Sequence, residues 1–128
     1  MTENNKCPNL ELVEGTLLAD CVAALVYTTL PSKAAALATG RALVEARLAG
    51  CINIIPAMTS VYVWEGQTEV SDEVVLIAKV PPEGVGAVVT ALRSEHPYQT
   101  PALLVLPVAA GSADYLAWLR AGVGPRAG

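Results

Sequence analysis

The stretch Val61-Tyr62-Val63-Trp64-Glu65-Gly66-Gln67 is the turn of a β-hairpin, with Gly66 at its tip, and its reading decides the fold. Upstream, Cys51 to Trp64 reads as extended chain, and downstream Thr68 to Val80 does as well. At roughly 3.3 Å per residue, each arm spans about 40–45 Å. A compact domain of this length has a radius of gyration of about 13–14 Å, so it is about 35 Å across. The arms outrun such a domain, and the overhang is expected to find its partners in another copy of the chain.

Pro56 cannot donate to a strand ladder and marks a bulge in the first arm. Beyond it, Ser60, Tyr62 and Trp64 share one face, while Val61 and Val63 take the other. In the return arm, Val74, Leu76, Ala78 and Val80 oppose Val75, Ile77 and Lys79. Ahead of the hairpin, the apolar run Cys21–Thr29 reads as a buried strand. Ser32 is placed to cap a helix whose stripe is Leu37, Arg41 with Gly40, Val44 and Leu48, stopping at Gly50. After the hairpin, Pro81-Pro82 opens a second helix with the stripe Val85, Val88, Val89 and Leu92, ending before Pro97. Ala102–Val108 reads as a fully buried last strand, and Ser112 as the cap of a closing helix through Tyr115, Leu116, Trp118 and Leu119. The order β-α-β-β-α-β plus a helix predicts an α+β, ferredoxin-like antiparallel sheet with both crossover helices on one face. Residues 1–20 read as an N-terminal extension, in which Leu10-Glu11-Leu12-Val13 adds an edge strand or folds back on the core. The domain proper is residues 21–121, and the Gly/Ala/Pro tail 122–128 is expected to fray.

Composition agrees with an assembling domain. Of the 128 residues 53% are apolar and 16% charged, rich for a small monomer with its large share of surface. The net charge of −4, with eight Lys and Arg and no basic cluster, argues against nucleic-acid binding. Cys7, Cys21 and Cys51 make an odd count without paired spacing, which points to reduced thiols and a cytoplasmic location. The longest apolar run, Ala102–Ala110, is interrupted by Pro107 and falls short of a membrane span. Met1–Lys6 lacks the basic-then-apolar order of a signal peptide.

His96 is the sole histidine, in His96-Pro97-Tyr98-Gln99-Thr100-Pro101. Its imidazolium suits a helix C-terminus, and its nitrogen suits a metal or proton transfer. Cys51 is the best additional thiol, although no paired Cys or His spacing of a zinc site exists. Glu69, Asp72 and Glu73 lie on the outer hairpin, Glu69 and Glu73 on one face. Such carboxylates usually solvate a hairpin. Lys79, alone in an apolar strand, needs a carboxylate or an exit to solvent, and can otherwise anchor an anion. Tyr62 and Trp64 pack an interface or wall a ligand cleft, with Tyr98 beside them. Neither a phosphate-binding glycine loop nor a nucleophile–His–acid motif is present, so the chain is not read as an enzyme.

Arg41-Ala42-Leu43-Val44-Glu45-Ala46-Arg47-Leu48-Ala49-Gly50-Cys51-Ile52-Asn53, Ser60–Gly66, Glu73–Lys79, His96–Pro101 and Asp114–Leu119 together resemble the CutA family of divalent-cation-tolerance proteins. The resemblance runs from about Val22 to Leu119. It implies a ferredoxin-like homotrimer, with weak binding of copper or another divalent cation in which His96 is the best ligand. Departures bear on that site. Gln99 and Ala102 stand where many members carry acids, and Tyr27-Thr28-Thr29 supplies none of the cysteine some members place there. An alternative, by likeness of fold alone, is a PII-like trimeric sensor binding a small anionic metabolite or nucleotide between subunits, lined by Tyr62, Trp64, Lys79 and Tyr98.

Overall fold

A computed structural model describes residues 20–125. Its elements are β1 (Ala23–Leu30), α1 (Lys33–Glu45), β2 (Cys51–Trp64), β3 (Gln67–Val80), α2 (Val85–Glu95), β4 (Leu104–Val108) and α3 (Ala113–Ala121). One turn of 3-10 helix, Pro82–Gly84, leads into α2, because Pro81 and Pro82 delay the first α-helical hydrogen bonds. The four strands form one antiparallel sheet in the order β2-β3-β1-β4, which is the expected α+β architecture. The extension strand expected at Leu10–Val13 lies outside the described residues.

Alternation along the strands gives the sheet two unlike faces. On one, Ala24, Val26 and Leu30 of β1 and Val74, Leu76, Ala78 and Val80 of β3 pack with Ala36 and Leu43 of α1 and with Val85, Val88, Val89 and Leu92 of α2. This is the core, and the α2 stripe read from sequence falls wholly within it. The α1 stripe does not. Leu37 and Val44 point outward, and the buried positions are Ala36, Gly40 and Leu43. Close approach explains the rotation: a Cβ on Gly40 would stand 2.6 Å from Ile52 Cδ1, so the helix turns Ala36 and Gly40, with Leu43, toward the sheet. Ser32 does cap α1, accepting from the Ala35 amide at 3.1 Å. Ser112 precedes α3 without a side-chain cap bond, and only its carbonyl is engaged, by Leu116.

The opposite face carries Leu25, Tyr27 and Thr29, Val75, Ile77 and Lys79, Ile55, and Leu104 and Leu106. α3 meets it at the Lys79 end, where Lys79 Nζ donates to the Tyr115 hydroxyl at 3.2 Å. β4 corrects the sequence reading. It is a five-residue edge strand, not a buried one, and Leu104 and Leu106 remain 57% and 45% exposed. Its position at the sheet edge is also what tolerates Pro107.

The hairpin is as long as its sequence requires. Glu65 (φ 51°) and Gly66 (φ 80°) form the two-residue turn between paired Trp64 and Gln67, the left-handed geometry that matches strand twist. The pairing slips between Ile55 and Met58, so Pro56 and Ala57 make the expected bulge. β1 pairs with β3 only as far as Leu30–Val74. From Glu73 outward the hairpin is a two-stranded ribbon, and Val61 to Val70 are all exposed.

Gly50 fixes how α3 meets the start of β2. A Cβ there would lie 2.5 Å from the Leu119 carbonyl oxygen, which belongs to backbone and cannot swing away. Gly50→Ala is expected to cost about 1–3 kcal/mol, the usual range for overpacking. Urea denaturation at fixed chain concentration measures it, and an unchanged midpoint would disprove the close approach.

Candidate functional site

β4 begins opposite Tyr27, so Thr28, Thr29 and Leu30 extend beyond it with an unpaired strand edge. His96, the residue that ends α2, fills that gap. Its Nε2 lies 2.8 Å from the Thr29 carbonyl oxygen and 3.1 Å from Thr28 Oγ1. A carbonyl can only accept, so Nε2 carries the proton. Nδ1 then accepts from the Tyr98 amide at 3.1 Å. The ring is thereby a neutral tautomer with both nitrogens engaged. Burial pushes its pKa below the ordinary 6.5, outweighing the Thr29 bond and the Glu73 charge that pull the other way. The imidazolium expected at the helix C-terminus is thus replaced by a neutral pin on the β1 edge.

Tyr98 stacks obliquely on His96, with ring centroids 4.8 Å apart, and its hydroxyl donates to Glu73 Oε1 at 3.4 Å. Glu73 sits on the face away from α1 and α2, where the ribbon leaves the sheet, opposite Met58. Ser71 donates to its Oε2 at 3.4 Å, and the Thr29 and Ser60 hydroxyls stand close enough to stabilise its charge. Burial would raise this carboxyl, but the four hydroxyl bonds prevail and hold it below its ordinary range. Burial, then the adjacent Glu73 charge, raise Tyr98. Tyr62, projecting from the ribbon, lies within electrostatic reach of Tyr98.

The other expected site residues are placed elsewhere. Cys51 pairs with Lys79, in the row of Leu25 on β1. That is two strands and three residues from Thr28, about 14 Å at ordinary sheet spacings, so Cys51 and His96 do not meet within one chain. Lys79 finds a tyrosine, not a carboxylate: Nζ lies 5.4 Å from the Tyr115 ring centroid as well as bonding its hydroxyl. It stands six residues along β3 from Glu73, about 20 Å. Trp64 is at the ribbon tip opposite Gln67. The four expected cleft residues therefore divide, with Tyr62 and Tyr98 near Glu73, Trp64 farther out and Lys79 at the opposite end. Among the described residues no three His, Cys, Asp or Glu side chains converge as a metal site. The end of β1 presents the Thr28 hydroxyl to His96, with no thiol there. Sequence reading missed the Thr29–Ser60–Ser71 ring around Glu73. The shared face of Ser60 and Tyr62 was legible, but the partners across the strands depend on register.

A ferredoxin-like sheet, an overhanging hairpin and a histidine-pinned loop after the second helix define a distinct class of α+β protein. The family model described as CutA1 divalent ion tolerance protein matches residues 24–122, and the chain belongs to that family. It is 43% identical over 101 residues to the divalent-cation tolerance protein CutA of Pectobacterium atrosepticum, covering 79% of this chain and 92% of that one. The solved divalent cation tolerance protein of Thermus thermophilus is 37% identical, with a TM-score of 0.75 over 80% of this chain and 99% of its own. CutA1 from Shewanella sp. SIB1, whose structure is titled that of a stable protein, is 30% identical, with a TM-score of 0.79 over 83% and 99% of the two chains.

The neutral pin predicts a pH effect. Below 6.5 the unfolded chain takes up a proton that the folded ring, with its lowered pKa, still refuses. Stability is therefore full above pH 6.5 and declines as the pH falls through the folded value. Glu73, also lowered, adds its own loss only below its unfolded 4.5. Thermal unfolding from pH 8 to 5 should show the first decline in the wild type. His96→Gln should be less stable at pH 8 and flatter across that range, and an equally steep decline in the variant would exclude His96 as its source.

Proposed function

We propose that this chain is a non-enzymatic divalent-cation tolerance protein that works as a homotrimer in the cytoplasm and binds copper or a similar cation weakly. The observation that carries the reading is the apolar sheet face that α3 leaves open beyond Lys79 and that runs into the overhanging two-stranded ribbon. Ile55, Leu104 and Leu106 line that face, and Val61, Val63 and Val70 stand exposed on the ribbon. Apolar surface of this extent marks an assembly interface, and the outer edge of β2 has backbone groups free to pair with another copy. Three copies is the number the CutA resemblance implies, and family membership supports the cation.

The ligand chemistry sets the strength. His96 Nδ1 becomes available only by releasing the Tyr98 amide, and Cys51 is too distant to join it in the same chain. A lone imidazole completed by water or by a neighbouring copy makes a weak, proton-sensitive site. The hydroxyl beside His96, that of Thr28, is buried and faces an Nε2 whose proton is held by the Thr29 carbonyl, so the ring is not placed to activate it, which supports a binding role over catalysis. The free Cys51 thiol supports a reducing compartment. The anionic-metabolite alternative has no comparable support, because Lys79 and the Tyr62–Tyr98 region lie at opposite ends of the sheet and Glu73 makes the latter negative.

Sedimentation velocity at micromolar concentration should give a trimer, and a stable monomer would overturn the assembly. Trp64→Ala should lower the melting temperature by loosening the ribbon contact. Calorimetric titration with copper(II) should show weak binding that fades as the pH falls through the lowered pKa of the His96 imidazole. Binding that survives in His96→Gln, or ignores pH between about 5 and 7, would move the cation elsewhere.

A further inference from the structure

Glu73 is a half-buried carboxylate ringed by hydroxyls and, among the described residues, lacking a countercharge. Ser71 and Tyr98 approach its two oxygens at 3.4 Å each, and register sets Ser60, opposite Ser71, and Thr29, opposite Val75, beside it on the same face. Thr29 is only 7% exposed, so the ring is built into the sheet and is not a chance gathering of surface side chains. Contacts of 3.4 Å are long beside the ~2.7–2.8 Å of a good hydroxyl hydrogen bond, so the carboxylate retains capacity to accept. Among the described residues the ion pairs are Arg41–Glu45 and Arg120–Glu83, and neither involves Glu73. His96, the nearest group able to become cationic, is committed as a neutral ring to Thr29 and Tyr98.

We propose that this nest binds the primary ammonium group of an organic amine. Glu73 supplies the charge, the Ser60 and Ser71 oxygens accept further N–H bonds, and the Tyr98 and Tyr62 rings face the adjoining carbon chain. An ammonium offers three N–H donors, which matches one carboxylate and two hydroxyls, and its charge is favoured near aromatic faces. The same donors suit metals poorly. Calcium takes six to eight oxygens and usually several carboxylates, whereas this nest has one carboxylate. Copper prefers nitrogen and sulfur, and the nest itself holds neither. The ammonium has two possible sources, a free small amine or a lysine of a neighbouring copy. This inference is independent of the copper reading, since it uses a different side chain and a different ligand.

The test is calorimetric titration of the assembled full-length chain with n-butylammonium at pH 7.5, with tetramethylammonium as a control that has charge but no N–H. Saturable butylammonium binding is expected, with affinity reduced about tenfold or more in Glu73→Gln and less in the milder Ser71→Ala. Equal affinity in Glu73→Gln, or equal binding of tetramethylammonium, would overturn the proposal. If the ammonium is instead a neighbour's lysine, the wild type refuses butylammonium and Glu73→Gln weakens assembly by sedimentation. One of Lys6→Gln, Lys33→Gln and Lys79→Gln must then weaken it equally. No amine binding together with unchanged assembly in Glu73→Gln, or weakened assembly that no lysine variant reproduces, also overturns it.

Discussion

Three unequal neighbours meet at the centre of the sheet. β1 has eight residues, β3 beside it has fourteen and β4 on its other side has five. Backbone amides and carbonyls demand partners, so every residue of mismatch has a structural consequence. On the β3 side the surplus becomes a ribbon held only by β2. On the β4 side the surplus is the edge from Thr28 to Leu30 that β4 leaves unpaired, and the side chain that closes it is His96.

This places the loop after α2 at a junction. His96 ties it to β1, and Tyr98 ties it onward to Glu73 at the root of the ribbon. A histidine that resembles a metal ligand in one dimension is in three dimensions a backbone-satisfying group. Its Nδ1 must give up the Tyr98 amide before it can serve anything else. The charge at this junction is therefore Glu73, whose hydroxyl ring keeps it ionised despite partial burial.

The face away from α1 and α2 explains the apolar composition. Core packing on the helical side accounts for Val, Leu and Ala at the even positions of β3, from Val74 to Val80. It does not account for Ile55, Leu104 and Leu106 on the other side, which retain about half their surface. Such residues are tolerated when another surface covers them.

The α2 stripe, the hairpin and its Gly66 turn, the Pro56 bulge and the βαββαβ order were legible in the sequence, because period, turn chemistry and proline are local properties. The buried side of α1 was not, since Gly40 faces Ile52 by close approach, a property of the pair and not of the helix. The edge position of β4 was hidden for a like reason: its apolar residues look the same whether or not a second layer covers them. At the site, the sequence singled out His96, Tyr98 and Tyr62, but nothing in one dimension said that the imidazole would be consumed by the Thr29 carbonyl. Only tertiary structure decided that Cys51 and Lys79 stand far from His96 and that Glu73 stands near it. Register along β2, β3 and β1 sets those distances, and register is fixed by packing between strands that are far apart in the chain.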